Sequence, residues 1–281
     1  VGILAGVLAA AAAACAAAVA VTLSGSQSSN PALDAQIRAV IIAVPIGVGL
    51  FVWRRDPWRR FGKLLVAAGF ALSLTTLAQS SNELLYSAGR VLGWLVEPLL
   101  IYLVLAFPSG RLTSRGSRHL VAASVLLVAL LYLPTMLLVD SYPTPSPWSS
   151  CHRDCPGNAF MLIGSEPGFV GDLILPLRET ATLILFVGVI AVLAGRIRRG
   201  THLKRITLTP VLTVAILHAL AVIAGILTRR ISPNGSAAEA FAWVAALSSG
   251  GVAMGFLAAL WAWWLYENRA LRRLAAGFAS H

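Results

Sequence analysis

The stretch VLGWLVEPLLIYLVLAFPSGRL, residues 91–112, decides how this chain folds. From Val91 to Phe107 it carries one ionisable side chain, Glu97, and a Pro-Ser-Gly-Arg turn then breaks the run. A helix needs roughly 20 mainly apolar residues to cross the hydrocarbon core of a bilayer. In lipid such a segment must satisfy its own backbone amides, so it is helical. Pro108 and Gly110 suit the turn that ends it, and Arg111 anchors that turn in water.

Seven further apolar runs lie around this one, at 1–23, 37–53, 64–80, 120–139, 173–195, 208–227 and 240–266. Of all residues, 58% are hydrophobic and 12% charged, too few charges to coat a soluble domain of this length. The pattern predicts an all-α, polytopic membrane bundle of about eight helices. Residues 1–266 form the bundle, and 267–281 a helical extension.

The connecting segments set the orientation. Arg54, Arg55, Arg59, Arg60 and Lys63 follow the second run, and Arg111, Arg115 and Arg118 the fourth. Arg196, Arg198, Arg199, Lys204 and Arg205 follow the sixth, and Arg269, Arg272 and Arg273 the eighth. Together they are 16 of the 22 basic residues. The opposite connections hold five, Arg38, Arg90, Arg153, Arg229 and Arg230, while Arg178 stands near a membrane edge. Basic residues are retained on the cytoplasmic side, so both termini are expected in the cytoplasm of a bacterial plasma membrane. The net charge of +11 then reports topology and contact with anionic lipid, and nothing resembles a nucleic-acid module. The Ala-rich first run has a cleaved signal peptide as its alternative, although no basic residue opens it.

One outer connection is long, 140–172, reading DSYPTPSPWSSCHRDCPGNAFMLIGSEPGFVGD. Pro, Gly and Ser make it irregular, and long loops are more often functional than short ones. It carries Cys151 and Cys155, four apart. A local disulfide suits an oxidising exterior. The sharper alternative is a metal site using His152 and Asp154 as well, but the spacing is not that of a zinc knuckle. Cys15 reads as a small buried hydrophobe.

Polar groups at membrane depth are functional candidates by default. Glu97 is one, with a water-reached carboxyl as the plain alternative. Arg178 and Glu179 are adjacent, so they point apart on a helix and need different partners. A pair between Arg178 and Glu97 is conceivable. His218 is the histidine deepest in a span. A haem held by two histidines would need a second at that depth, so a satisfied core histidine is the simpler reading, and no cofactor is expected. In the eighth run Gly251 and Gly255 can let helices approach closely. Trp261, Trp263, Trp264 and Tyr266 then form an interfacial belt. Leu271, Leu274, Ala275 and Phe278 continue a helical stripe beyond it. No zinc-protease, phosphate-loop or nucleophile-elbow motif appears.

Several stretches resemble the N-terminal membrane input region of actinobacterial two-component sensor histidine kinases. They are LLYSAGRVLGWLVEPLLIYLVLAFPSGRLTSR (84–115), YPTPSPWSSCHRDCPGNAFML (142–162), PLRETATLILF (176–186) and LKRITLTPVL (203–212). The most specific motif is A-F-P-S-G-R-L, with Phe107, Pro108, Gly110 and Arg111 at its turn. The resemblance implies a homodimer whose last helix leads to a cytoplasmic kinase output and a response regulator. His281 lacks the surroundings of a phospho-acceptor, so catalysis is not expected of these residues themselves. The stripe still in register at His281 points to a following segment. A sensory input module is the expected function. A small-solute transporter and a non-catalytic membrane subunit are the alternatives.

Overall fold

The computed structural model describes residues 2–25, 30–55, 58–151, 154–199, 202–232 and 235–279; of residues 3, 202–204, 206–207 and 263–279 it describes the backbone alone. Eight helices are long and apolar enough to cross a membrane, and no β-strand forms among the described residues. They are α1 (Gly2–Ser24), α2 (Pro31–Trp53), α3 (Arg59–Gln79) and α4 (Glu83–Ala106). The other four are α5 (Arg115–Met136), α6 (Val170–Arg199), α7 (His202–Ile231) and α8 (Ser236–Ala279). The chain is a multi-pass membrane protein.

Helix starts are set by polar caps, not by the first apolar residue. The Asn30 side chain accepts from the Leu33 amide ahead of Pro31, and Asn82 accepts from Leu84 and Leu85 ahead of Glu83. Asn caps and Pro in the first turn both favour helix entry. As a result α2 and α4 begin well before residues 37 and 91. This corrects the assignment of Arg38 and Arg90 to connections: both lie inside helices and are buried. Arg229 and Arg230 likewise belong to the last turn of α7.

Successive helices from α2 to α8 pack side by side, and α8 closes the ring against α2. α1 sits outside it, laying Ala18, Cys15, Ala11 and Val7 on Ile42, Ile46 and Leu50 of α2 and on Val66 of α3. The small residues of α8 explain how the ring closes. A Cβ on Gly255 would stand 3.1 Å from Val211 Cα of α7, and Gly251 meets Val214 on the same helix. Gly250 meets Ile41 of α2. Gly251 and Gly255 therefore serve packing inside the bundle.

The two ends of the ring differ. One end carries the long loop 140–172 and is called the loop end here. The other carries Arg54, Arg55, Arg59, Arg60, Arg111, Arg115 and Arg118, all exposed, and is called the basic end.

Candidate functional site

At the loop end the segment Tyr142–Ser150 folds down over the helices as a roof. Its prolines give it no helix, so its carbonyls remain free to accept. Arg90 of α4 donates to the Pro143 carbonyl at 2.6 Å, and Arg38 of α2 to that of Pro147 at 2.9 Å. Arg229 of α7 donates to the Pro145 carbonyl at 3.3 Å. Gln79, at the end of α3, donates to the Trp148 carbonyl and accepts from the Ser150 amide. The Trp148 ring is buried against Gly93 of α4. A Cβ on Gly93 would come within 2.6 Å of two ring carbons, so only glycine leaves room there.

The rest of the loop is tied beside the roof. Cys151 and Cys155 form a disulfide with Cα atoms 5.7 Å apart. His152, from the alternative metal reading, lies outside the described residues. Asn158 donates to the carbonyls of Met136 and Val139 and accepts from the Tyr142 hydroxyl at 2.6 Å. Burial pushes the Tyr142 phenol above the ordinary tyrosine range.

Beneath the roof lies a cavity of about 120 Å³ between α4, α5, α6 and α7. Arg90, Trp94 and Glu97 line it from one face of α4, at spacings of four and three residues. Tyr132 enters from a π-helical turn of α5, Val128–Tyr132, and Arg178 and Glu179 from α6. Single π turns often mark functional positions in helices. The Arg178 guanidinium lies 4.5 Å above the Tyr132 ring and 5.6 Å from that of Trp94, and donates to Thr135 Oγ1 at 2.8 Å. Arg90 lies 5.6 Å from the Tyr142 ring and 5.8 Å from that of Tyr86.

The carboxylates of this region have partners other than Arg90 and Arg178. Glu179 accepts from Arg229 at 2.8 Å and from Arg230 at 2.5 Å. Glu97, at the floor of the cavity, faces His218 Nε2 of α7 at 3.5 Å. The other nitrogen of His218, Nδ1, stands 3.1 Å from the Ala245 carbonyl and 3.0 Å from Ser248 Oγ, both on α8. A line of polar contacts thus runs from the cavity floor through α7 to α8.

At the basic end the A-F-P-S-G-R-L turn is also docked on α8. Gly110 has φ +69°, a conformation that favours glycine, and its carbonyl accepts from the Tyr102 hydroxyl. The Phe107 ring lies 4.8 Å from that of Phe256 on α8 and 5.4 Å from that of Phe61 on α3. Pro108 and exposed Arg111 complete the turn.

Of the residues singled out from sequence, Glu97 and His218 come together, and Arg178 and Glu179 share one cavity with Glu97. The conceivable Arg178–Glu97 pair does not form, because Arg178 is directed toward Tyr132 and Thr135. His218 is a satisfied core histidine, though its partner Glu97 was not foreseen. Arg38, Arg90, Gln79 and Tyr132 also belong to this region, and none of them stands out in the sequence as a site residue. The Asn-capped helix starts were the signal that would have moved both arginines into the bundle. Trp263, Trp264 and Tyr266, and the stripe at Leu271, Leu274, Ala275 and Phe278, have side chains outside the described ones, and His281 lies outside the described residues. Compared with protein-family models, curated proteins and solved structures, the chain matches none.

Proposed function

We propose that this chain is the membrane-embedded sensory input module of a two-component histidine kinase system. In this reading the loop end faces outward, the basic end faces the cytoplasm of a bacterial plasma membrane, and both termini are cytoplasmic. The excess of basic residues at one end supports that orientation. A change at the roof or in the cavity shifts the packing of α8, which passes it to a cytoplasmic output. The homodimer and the response regulator rest on the family resemblance alone.

The observation that carries the proposal is the contact line from Glu97 to His218 to Ala245 and Ser248. It joins the cavity floor to one particular helix, the longest of the eight. α8 is 44 residues long, about 66 Å at 1.5 Å per residue, against a hydrocarbon core of roughly 30 Å. The docking of Phe107 on Phe256 gives α4 a second grip on α8 nearer the basic end. Two helix arrangements differing by a few kcal/mol suffice for a switch, provided a stimulus interacts differently with each.

The test is a fusion of residues 1–281 to a histidine-kinase output, with autophosphorylation measured under candidate stimuli. Glu97→Gln, His218→Phe and Ser248→Ala should each change basal or stimulated output, and substitutions in the roof should do so as well. Output indifferent to all of them under every condition would remove the sensory role. Solute uptake by the purified chain in liposomes would instead favour a transporter.

A further inference from the structure

Arg90 and Arg178 are 2% and 3% exposed, and both sit in helices at membrane depth. Neither has a carboxylate partner among the described residues. Arg90 makes one hydrogen bond, to a carbonyl, and its Nε and Nη1 have no acceptor; Arg178 makes one, to a hydroxyl, and its Nε has none. Both side chains line the same cavity. Arg229 is an electrostatic neighbour of each, so three guanidinium groups converge there. Glu179 is an electrostatic neighbour of Arg178 as well, but its oxygens are held by Arg229 and Arg230. Glu97 lies seven residues along α4 from Arg90, about 10 Å deeper, and faces His218. A buried cation with unused donors is costly; two line this cavity, Arg178 offset in part by Glu179 and Arg90 with no carboxylate among its electrostatic neighbours.

Trp94, Trp148, Leu185, Phe186, Val222 and Ile226 supply apolar and aromatic wall, and Ser124, Ser146 and Thr182 add hydroxyls. The volume of about 120 Å³ is somewhat below that of an apolar cavity of about 150 Å³ that accepts benzene. A guanidinium presents a planar fork that matches an oxyanion in two bonds at once.

We infer that this cavity binds an amphiphilic anion, with a carboxylate or phosphoryl head on Arg90 and Arg178 and a small apolar body against Trp94 and Phe186. This deepens the sensory reading and rests on it for the claim that the ligand is a signal. The binding itself stands independently. The same head chemistry has two sources: an anionic membrane lipid entering by its headgroup, or a small organic acid from water.

The experiment uses the full chain in nanodiscs of phosphatidylcholine, following tryptophan fluorescence through thermal unfolding. One arm raises the fraction of phosphatidylglycerol, and the other adds sodium propionate, whose two-carbon tail suits this volume, against a sodium chloride control. A saturable rise of the midpoint is expected in one arm and identifies the source. Arg90→Met and Arg178→Met should each weaken that response about tenfold or more, the weight of one charged hydrogen bond. Without anion both variants should still fold, because removal of a buried cation with unused donors offsets the one acceptor each leaves behind. Arg90→Lys and Arg178→Lys, which keep the charge and lose the fork, cover the case in which a methionine variant fails to fold, and they should also bind more weakly. No saturable rise in either arm beyond chloride, or a rise unchanged in the arginine variants, overturns the inference. An anion that binds while the kinase fusion stays silent to it supports the site and overturns the sensory use of it. A fusion that answers other stimuli while no anion binds does the reverse.

Discussion

Both ends of the bundle are rich in arginine, and they hold it in opposite ways. At the basic end the guanidinium groups of Arg54, Arg59, Arg111 and Arg115 stand in the open, and packing is done by Phe61, Phe107 and Phe256. Half-buried Arg196 there is satisfied by the Leu105 carbonyl and Ser117 Oγ. At the loop end Arg38, Arg90 and Arg178 are buried; they donate to neutral carbonyls and a hydroxyl and lie by aromatic faces, with Asp34 an electrostatic neighbour of Arg38 and Glu179 of Arg178. Neutral acceptors offset the desolvation of a cation only in part. The basic end is therefore the settled one. The loop end keeps buried guanidinium donors without acceptors, the feature on which the proposed anion site rests.

The largest effects should come from the anchor of each end. Trp148→Ala and Phe256→Ala should each cost about 3–5 kcal/mol, as for other buried aromatics cut to alanine. Hydrogen exchange distinguishes the two: the first should raise exchange over residues 142–151 and spare 58–63, and the second should do the opposite. Equal loosening of both ends by either variant would abolish the distinction. A smaller effect is expected from Gln79→Leu, which strands the Trp148 carbonyl and the Ser150 amide in the interior, at about 1–3 kcal/mol. The matching change at the basic end, exposed Arg111→Gln, should stay within about 0.5 kcal/mol in the same thermal unfolding assay.

Within the loop end the smallest expected effect is that of Tyr142→Phe, about 1 kcal/mol for one hydrogen bond. Its pH dependence has a definite sign. The folded-state value of the phenol is raised, so its contribution is fully present below the ordinary tyrosine value near 10 and is lost as pH rises through the higher folded value. The stability difference between the parent and Tyr142→Phe should thus be flat from neutral pH to about 10 and shrink above it. A difference that already shrinks near neutrality would mean that the hydroxyl is not held as described.

Much of this architecture was legible before any coordinates. Eight apolar runs gave eight helices because lipid leaves a spanning segment little choice. Cys151 and Cys155 were close enough in sequence to point to their disulfide. The candidate site was only partly legible. A start of α4 at its first apolar residue leaves Arg90 in water, and a start of α2 at residue 37 leaves Arg38 at the very end of the helix, although Asn30-Pro31 and Asn82-Glu83 carry the cap signal. Glu97 and His218 were recognisable as intramembrane polar groups, but their pairing depends on the rotation of α4 against α7. Spacing within one helix does not fix that rotation. The roof was the least legible part, since its contacts run between prolyl carbonyls and side chains from three separate helices.

The central claim is that the loop-end cavity is read out through α8 by way of His218. Spin-label distances between position 118, at the start of α5, and position 269, on α8, test it most directly. The labels are introduced as non-cysteine residues in the full chain in nanodiscs. Arg90→Met, which removes the hydrogen bond between α4 and the Pro143 carbonyl of the roof, should shift the distance distribution, and His218→Phe in the same chain should cancel that shift. A distribution indifferent to Arg90→Met, or a shift that persists unchanged without His218, would contradict the claim.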